Sequence, residues 1–138
     1  MCGWFNAEAA RFAATLARGA AATVVALSGD LGAGKTTFVQ TVAKHFGIEE
    51  QVSSPTFVIE KIYEIAHGAF ARLIHIDAYR LKGAEELEAL GWSEIVSDPA
   101  NLILIEWPER VAELIPASAH RIALTFIDEH TRTIEYGS

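Results

Sequence analysis

Cysteine occurs once in this sequence of 138 residues, at Cys2. An internal disulfide is therefore excluded, and a lone thiol with no base placed beside it is a poor nucleophile. No apolar run approaches the roughly 20 residues needed to cross a bilayer, and the opening Met1-Cys2-Gly3-Trp4-Phe5 lacks the basic flank of a signal peptide. The expected location is cytoplasmic, with no membrane contact. Basic residues are also scarce: 11 Lys and Arg stand against 18 Asp and Glu, a formal net charge of −7, and they are scattered along the chain. Direct binding of nucleic acid needs a cationic footprint that displaces counterions from phosphates, so any nucleic acid involved is expected to be held by a partner. Internal repeats, low-complexity tracts and linkers are missing. So is the Asn-Lys-x-Asp signature of guanine binding, and so is a long lid insertion of the kind a small-metabolite kinase needs.

What is present is a globular composition, 51% hydrophobic and 21% charged, and a length that fits one core, so residues 1–138 are expected to form a single domain. Asn6 predicts the cap of a helix over Ala7–Arg18, stopped by Gly19. Thr23-Val24-Val25-Ala26-Leu27 is apolar without alternation, as a strand covered on both faces requires. From Thr36 the apolar spacing turns helical through Phe38, Val39, Val42, Ala43 and Phe46, until Gly47 ends the element. Phe57–Ile65 alternates, with Ile59, Tyr63 and Ile65 against Glu60 and Glu64, and His67-Gly68 turns the chain into Ala71–Ile76, an antiparallel hairpin. Ala84–Leu90 reads as a short acidic helix closed by Gly91. Asn101–Ile105 reads as a second buried strand ending at Glu106-Trp107-Pro108, with Pro108 opening a short helix. The tail alternates through Ile122, Leu124 and Phe126, turns at Asp128-Glu129-His130 and returns over Thr133–Tyr136. The fold class is α/β: a P-loop NTPase fold with a central mixed sheet, flanked by helices and antiparallel hairpins.

The chemistry is concentrated in Gly29-Asp30-Leu31-Gly32-Ala33-Gly34-Lys35-Thr36, the Walker A pattern. Glycines let successive backbone N–H groups approach phosphates from a helix N-terminus, where a side chain would block the way. Lys35 is expected to neutralise the β- and γ-phosphates of ATP and Thr36 to coordinate Mg2+, while Asp30 caps or shapes the loop. Average glycine usage gives a chance match on the order of half a percent in a chain of this length, and the buried strand before the loop and the helix after it supply the context the motif requires.

Magnesium needs a carboxylate beyond the loop, usually at the end of a neighbouring apolar strand. Two positions qualify: Leu73–Ile76 ends in Asp77, and Leu102–Ile105 ends in Glu106. Taken alone, either acid reads as a strand-end cap; beside a P-loop both become metal and catalytic candidates. Ser54, Pro55, Thr56 and Phe57 lie where such proteins carry a γ-phosphate-sensing loop, or else form a plain proline-containing turn. His75 reads as a catalytic base or, more commonly for a strand histidine, a structural residue. Trp107 reads as a lid or partner contact, or as packing. Arg80 reaches either a phosphate in cis or a carboxylate.

Four segments together, Gly29–Thr36 with Thr37 following, Ser54–Phe57, His75-Ile76-Asp77-Ala78-Tyr79-Arg80-Leu81 and Glu106-Trp107-Pro108-Glu109, resemble in order and spacing the bacterial TsaE family, also called YjeE. The resemblance runs from the first helix to about Arg110 and includes Glu85-Glu86-Leu87 and Leu90-Gly91. It implies an ATPase serving formation of N6-threonylcarbamoyladenosine in tRNA, working with the TsaB–TsaD pair, which performs the transfer and through which tRNA is met only indirectly. It also implies that Thr36 and Glu106 match magnesium positions, that Asp77 matches a carboxylate needed for hydrolysis, that Ser54–Phe57 matches a switch-like loop, and that Trp107 matches a tryptophan at the active-site edge. A departure stands at Ala10, where the family often has a threonine that contributes to the nucleotide site. The readings competing with an accessory ATPase are a small-molecule phosphotransferase and a nucleotide-sensing module that scarcely hydrolyses.

Overall fold

The computed structural model describes residues 3–30, 34–49, 60–66, 68–128 and 131–137. The expectations placed on Cys2, on Leu31, Gly32 and Ala33, on Ser54, Pro55, Thr56 and Phe57, and on Ile59, His67, Glu129 and His130 lie outside the described residues. Six strands, β1 (Thr23–Ser28), β2 (Glu60–Glu64), β3 (Arg72–Asp77), β4 (Asn101–Glu106), β5 (His120–Asp128) and β6 (Thr131–Gly137), form one sheet in the order β2-β3-β4-β1-β5-β6. The inner four are mutually parallel; β2 and β6 pair antiparallel at the two edges. The division follows from the side chains. Every residue of β4 is buried, as are Val24–Leu27 of β1, so these runs can lie only where both faces are covered, while the alternating segments take the edges.

Each face has its own core. Val25, Leu27, Leu73 and Leu104 pack against α1 (Gly3–Thr15) and α2 (Lys35–His45), which bring Phe5, Phe12, Phe38 and Val42. Val24, Ala26, Ile74 and Ile103 pack on the other face against Leu87 of α3 (Ala84–Ala89), Trp92 of α4 (Trp92–Ser97) and Val111 of a short 3-10 segment, Pro108–Leu114. The mixed α/β architecture, the order of β1 before α2 and both hairpin pairings agree with the sequence reading, and Gly68, at φ 113°, lies between β2 and β3. Among the described residues no helix is long and apolar enough to cross a membrane.

Two elements differ from expectation. Helix α1 starts at Gly3 and ends at Thr15, so Asn6 is an exposed residue of the first turns and not the cap of a helix over Ala7–Arg18. The cause is Phe5, fully buried and edge-on to Phe38 at 6.3 Å between ring centres; such burial stabilises by about 1.5–3 kcal/mol and draws the preceding turn into the helix. At the other end the Thr15 hydroxyl donates to the Phe12 carbonyl at 2.6 Å and the Leu16 N–H bonds Ala13 O at 3.2 Å, tightening the last turn. The Ala17 carbonyl instead accepts from the Thr23 hydroxyl at 3.2 Å. The second difference is α4, which restarts directly after Gly91 (φ 90°) ends α3. Its signal is present in the sequence: Trp92, Ile95 and Val96 have helical spacing over one short turn.

At the N-terminal ends of β3 and β4, the buried Asn101 donates from Nδ2 to the Ile95 carbonyl at 2.9 Å and accepts from Arg72 Nε at 2.8 Å. Arg72 also bonds Asp98 at 2.9 Å. This polar cluster ties α4 to the sheet and leaves the opposite, C-terminal edge for other work.

Candidate nucleotide site

Parallel register gathers the chemistry at that C-terminal edge. Leu27 of β1 pairs with Glu106 of β4, and Glu106 pairs with Asp77 of β3. Successive residues of a strand face opposite sides. His75, Asp77 and Glu106, in step with Leu73 and Leu104, therefore face the side that carries α1 and α2. Gly29, at φ 147°, leaves β1, and Gly34, at φ 99°, caps α2 in the left-handed region, where a side chain would strain the backbone. The first turn of α2 holds Lys35, Thr36 and Thr37 and no acid, so the positive end of its dipole faces the loop unneutralised, a setting that attracts anions.

Lys35 is the centre of the site. Only 5% exposed, its ammonium donates to the Gly29 carbonyl and, at 3.4 Å, to that of Asp30. It also lies 4.1 Å from the centre of the Trp107 ring, a cation–π distance. Burial pushes its pKa below the ordinary lysine value of 10.5, against the opposing attraction of Glu106, Asp77, Glu109 and Asp30. Those four carboxylates are the negative charges that act on this partly dehydrated cation. Asp30 is itself exposed; its described contact to the loop is through its carbonyl.

Glu106 is 3% exposed, and its Oε2 lies 2.6 Å from Nε2 of the fully buried His75. A histidine enclosed in this way has no open path to an attacking water, which sets aside the catalytic-base reading. Asp77 is half-buried and accepts the Tyr79 N–H at 3.0 Å, turning the chain sharply after β3. Two backbone bonds stitch the edge together: the Ala78 N–H donates to Glu106 O at 3.0 Å and the Trp107 N–H to Leu27 O at 3.3 Å.

Trp107, at φ 60°, is the one described residue other than glycine with a positive φ. The kink brings its ring against both Lys35 and Tyr79, whose ring is tilted by 54° with its centre 4.9 Å away, and Arg110 lies over the Tyr79 ring, 5.3 Å from its centre. Trp107 is therefore part of the site as well as packed on the core beneath it. Tyr79 and Arg80 are exposed at the rim. Lys35, Asp77, Glu106 and Trp107 thus meet; Thr36 and Thr37 sit half-buried on the adjoining turn of α2, and Ala10 lies half-buried on α1.

A hydroxyl at Thr36 and two carboxylates from adjacent strands make a hard, oxygen-only donor set of the kind that suits magnesium already carried by phosphates. Among the described residues no group of three His, Cys, Asp or Glu side chains is placed to hold a metal ion. The reading of the sequence included Tyr79 and Glu109 in the segments that carry the resemblance but gave them, and Arg110, no place in the site; the structure sets Tyr79 against Trp107, Arg110 over Tyr79, and the Glu109 charge where it acts on Lys35.

A family model described as threonylcarbamoyl adenosine biosynthesis protein TsaE matches residues 5–134. A Rickettsia felis protein named tRNA threonylcarbamoyladenosine biosynthesis protein TsaE is 40% identical over 110 residues, which are 79% of this chain and 61% of that protein. The protein of the same name from Treponema pallidum is 39% identical over 112 residues, 81% of this chain and 79% of its own length. Among solved structures, the crystal structure of Bacillus subtilus YdiB superposes with a TM-score of 0.69 at 28% identity, covering 99% of this chain and 80% of that one.

Proposed function

This chain belongs to the TsaE family, and from that membership, the pairing of Asp77 with Glu106 at the sheet edge and the buried Lys35 we propose that it binds ATP with magnesium and hydrolyses it in the service of N6-threonylcarbamoyladenosine formation in tRNA. The observation that carries the reading is the buried Lys35 between the loop carbonyls and the Trp107 ring. An ammonium stripped of most of its water binds phosphate far more strongly than a solvated one. Lys35 and the backbone N–H groups at the start of α2 take the β- and γ-phosphates. Thr36, Glu106 and Asp77 hold the metal, which when bound neutralises charge developing on the phosphate oxygens. Asp77, the more accessible of the two acids, orients the water that attacks the γ-phosphorus, and ADP and inorganic phosphate leave.

The partners we assign are TsaB- and TsaD-type proteins, with tRNA met only through them, because a net charge of −7 opposes a polyanionic backbone. Trp107, Tyr79 and Arg80 at the rim are expected to differ between ATP and ADP states, as is the segment Ser54–Phe57, for which the resemblance implies a switch-like role. The test is ATP turnover with and without a TsaB–TsaD pair from the same organism, with capture of that pair in ATP, a non-hydrolysable analogue, ADP and no nucleotide. We expect slow turnover alone, stimulation by the pair, and capture that follows nucleotide state. Phosphate appearing on an added small molecule would replace hydrolysis by transfer. ATP binding with no turnover, alone or with the pair, would leave a sensor. Submicromolar tRNA binding by the lone chain would overturn the charge argument.

A further inference from the structure

We propose that His75 is a positioning residue: it holds the Glu106 carboxylate in the orientation in which Glu106 serves magnesium, an inference that rests on the magnesium-ATP reading above. Glu106 closes a strand buried along its whole length and is itself 3% exposed, so its charge has little water and needs a partner. Asp77, its register neighbour on β3, carries the same sign and cannot be that partner. His75 lies two residues earlier on β3, on the same face, and reaches diagonally to Oε2 at 2.6 Å. One carboxylate oxygen is thereby tied down, and rotation of the group is restricted.

A purely structural role accounts poorly for the imidazole. His75 is fully buried and its Nδ1 has no hydrogen-bond partner among the described residues, whereas core histidines usually satisfy both nitrogens. Leu73 and Leu104 line the same face, so an aliphatic side chain at position 75 would pack there with no unpartnered imidazole nitrogen, and what it would forfeit is the contact with the Glu106 carboxylate. Among the described residues the ring's polar contact is with Glu106. Residues that orient a metal-binding group typically change metal affinity or activity by 10–100-fold when removed.

The test compares His75→Leu with His75→Gln, whose amide reaches the place of Nε2. A fluorescent, non-hydrolysable ATP analogue is bound first in EDTA; magnesium in excess of the chelator is then titrated into the protein–analogue complex and followed by the change in fluorescence, and ATP turnover is measured separately against magnesium. For His75→Leu we expect binding in EDTA within twofold of wild type, half-saturating magnesium raised by about 10–100-fold, and a melting transition retained. His75→Gln should recover most of the magnesium dependence. Should His75→Leu fail to melt cooperatively, His75→Asn takes its place, since its amide overlays Nδ1 and not Nε2. Unchanged magnesium dependence in the Leu variant, or equal impairment in the Gln variant and its comparator, overturns the inference. Glu106→Gln in the same titration separates the two levels. If it binds magnesium as wild type does, the assignment of Glu106 to the metal has failed and the inference with it; if it loses magnesium while His75→Leu does not, only the role of His75 has failed.

Discussion

Replacing the two strand-end acids by alanine should have unequal effects on folding, and the difference can be worked from their surroundings. Glu106→Ala removes one buried methylene, about 0.8 kcal/mol, and leaves the buried His75 Nε2 without its partner at 2.6 Å, about 1–3 kcal/mol more. The sum is about 2–4 kcal/mol, which for a chain of this size lowers the melting temperature by about 5–15 °C. Asp77→Ala forfeits one hydrogen bond from the Tyr79 N–H, in a half-buried setting, about 1 kcal/mol or less. Glu106→Gln is the informative variant: the carboxamide still accepts from His75, so melting should stay within about 3 °C of wild type, while loss of the charge lowers ATP turnover by about 100-fold or more. Thermal melts and magnesium-dependent phosphate release are to be run in parallel on Glu106→Gln, Glu106→Ala and Asp77→Asn. Wild-type turnover in Glu106→Gln would return Glu106 to a structural role, and an unchanged melt in Glu106→Ala would refute the burial argument itself.

Lys35→Met should abolish most ATP affinity, measured by titration with labelled nucleotide. Because burial lowers the Lys35 pKa from 10.5, the folded chain carries its ammonium at a cost that is fully present below the lowered value, fades as pH rises toward 10.5 and is absent above it. Lys35→Met should accordingly melt no lower than wild type at pH 7–8, and any advantage should shrink in melts taken toward pH 10.5; an advantage that grew with pH would reverse the sign. Asn101→Ala should cost about 2–3 kcal/mol, since Arg72 Nε and the Ile95 carbonyl both lose a buried partner, yet ATP affinity should be unaffected because Asn101 lies at the other end of β4 from Glu106. Chemical denaturation beside nucleotide titration checks it, and weakened ATP binding would show that the two ends of the sheet are coupled.

The parts of this protein that its sequence determines by itself are those governed by neighbours a few residues apart. Backbone sterics allow Gly29 and Gly34 conformations that other residues adopt only under strain, so the loop is readable from its glycines. An unbroken apolar run from Val24 to Leu27, or from Leu102 to Ile105, can lie only in the middle of a sheet covered on both faces. Alternation at Tyr63 and Ile65, and again at Ile122 and Leu124, marks the hairpins. The Walker A lysine and threonine, and the two acids ending apolar strands, were legible for the same reason. Tertiary structure alone decided what those residues meet. His75 and Glu106 are 31 residues apart and touch only because β3 and β4 pair in one particular register, which no local pattern encodes. The start of α1 followed from Phe5 docking on Phe38, a contact between two helices, and not from the capping propensity of Asn6. The contacts of Lys35 with Trp107 and of Trp107 with Tyr79 needed three segments of chain to converge. Side-chain chemistry is a property of the residue, but the burial and charge that tune it come from whatever the fold brings alongside.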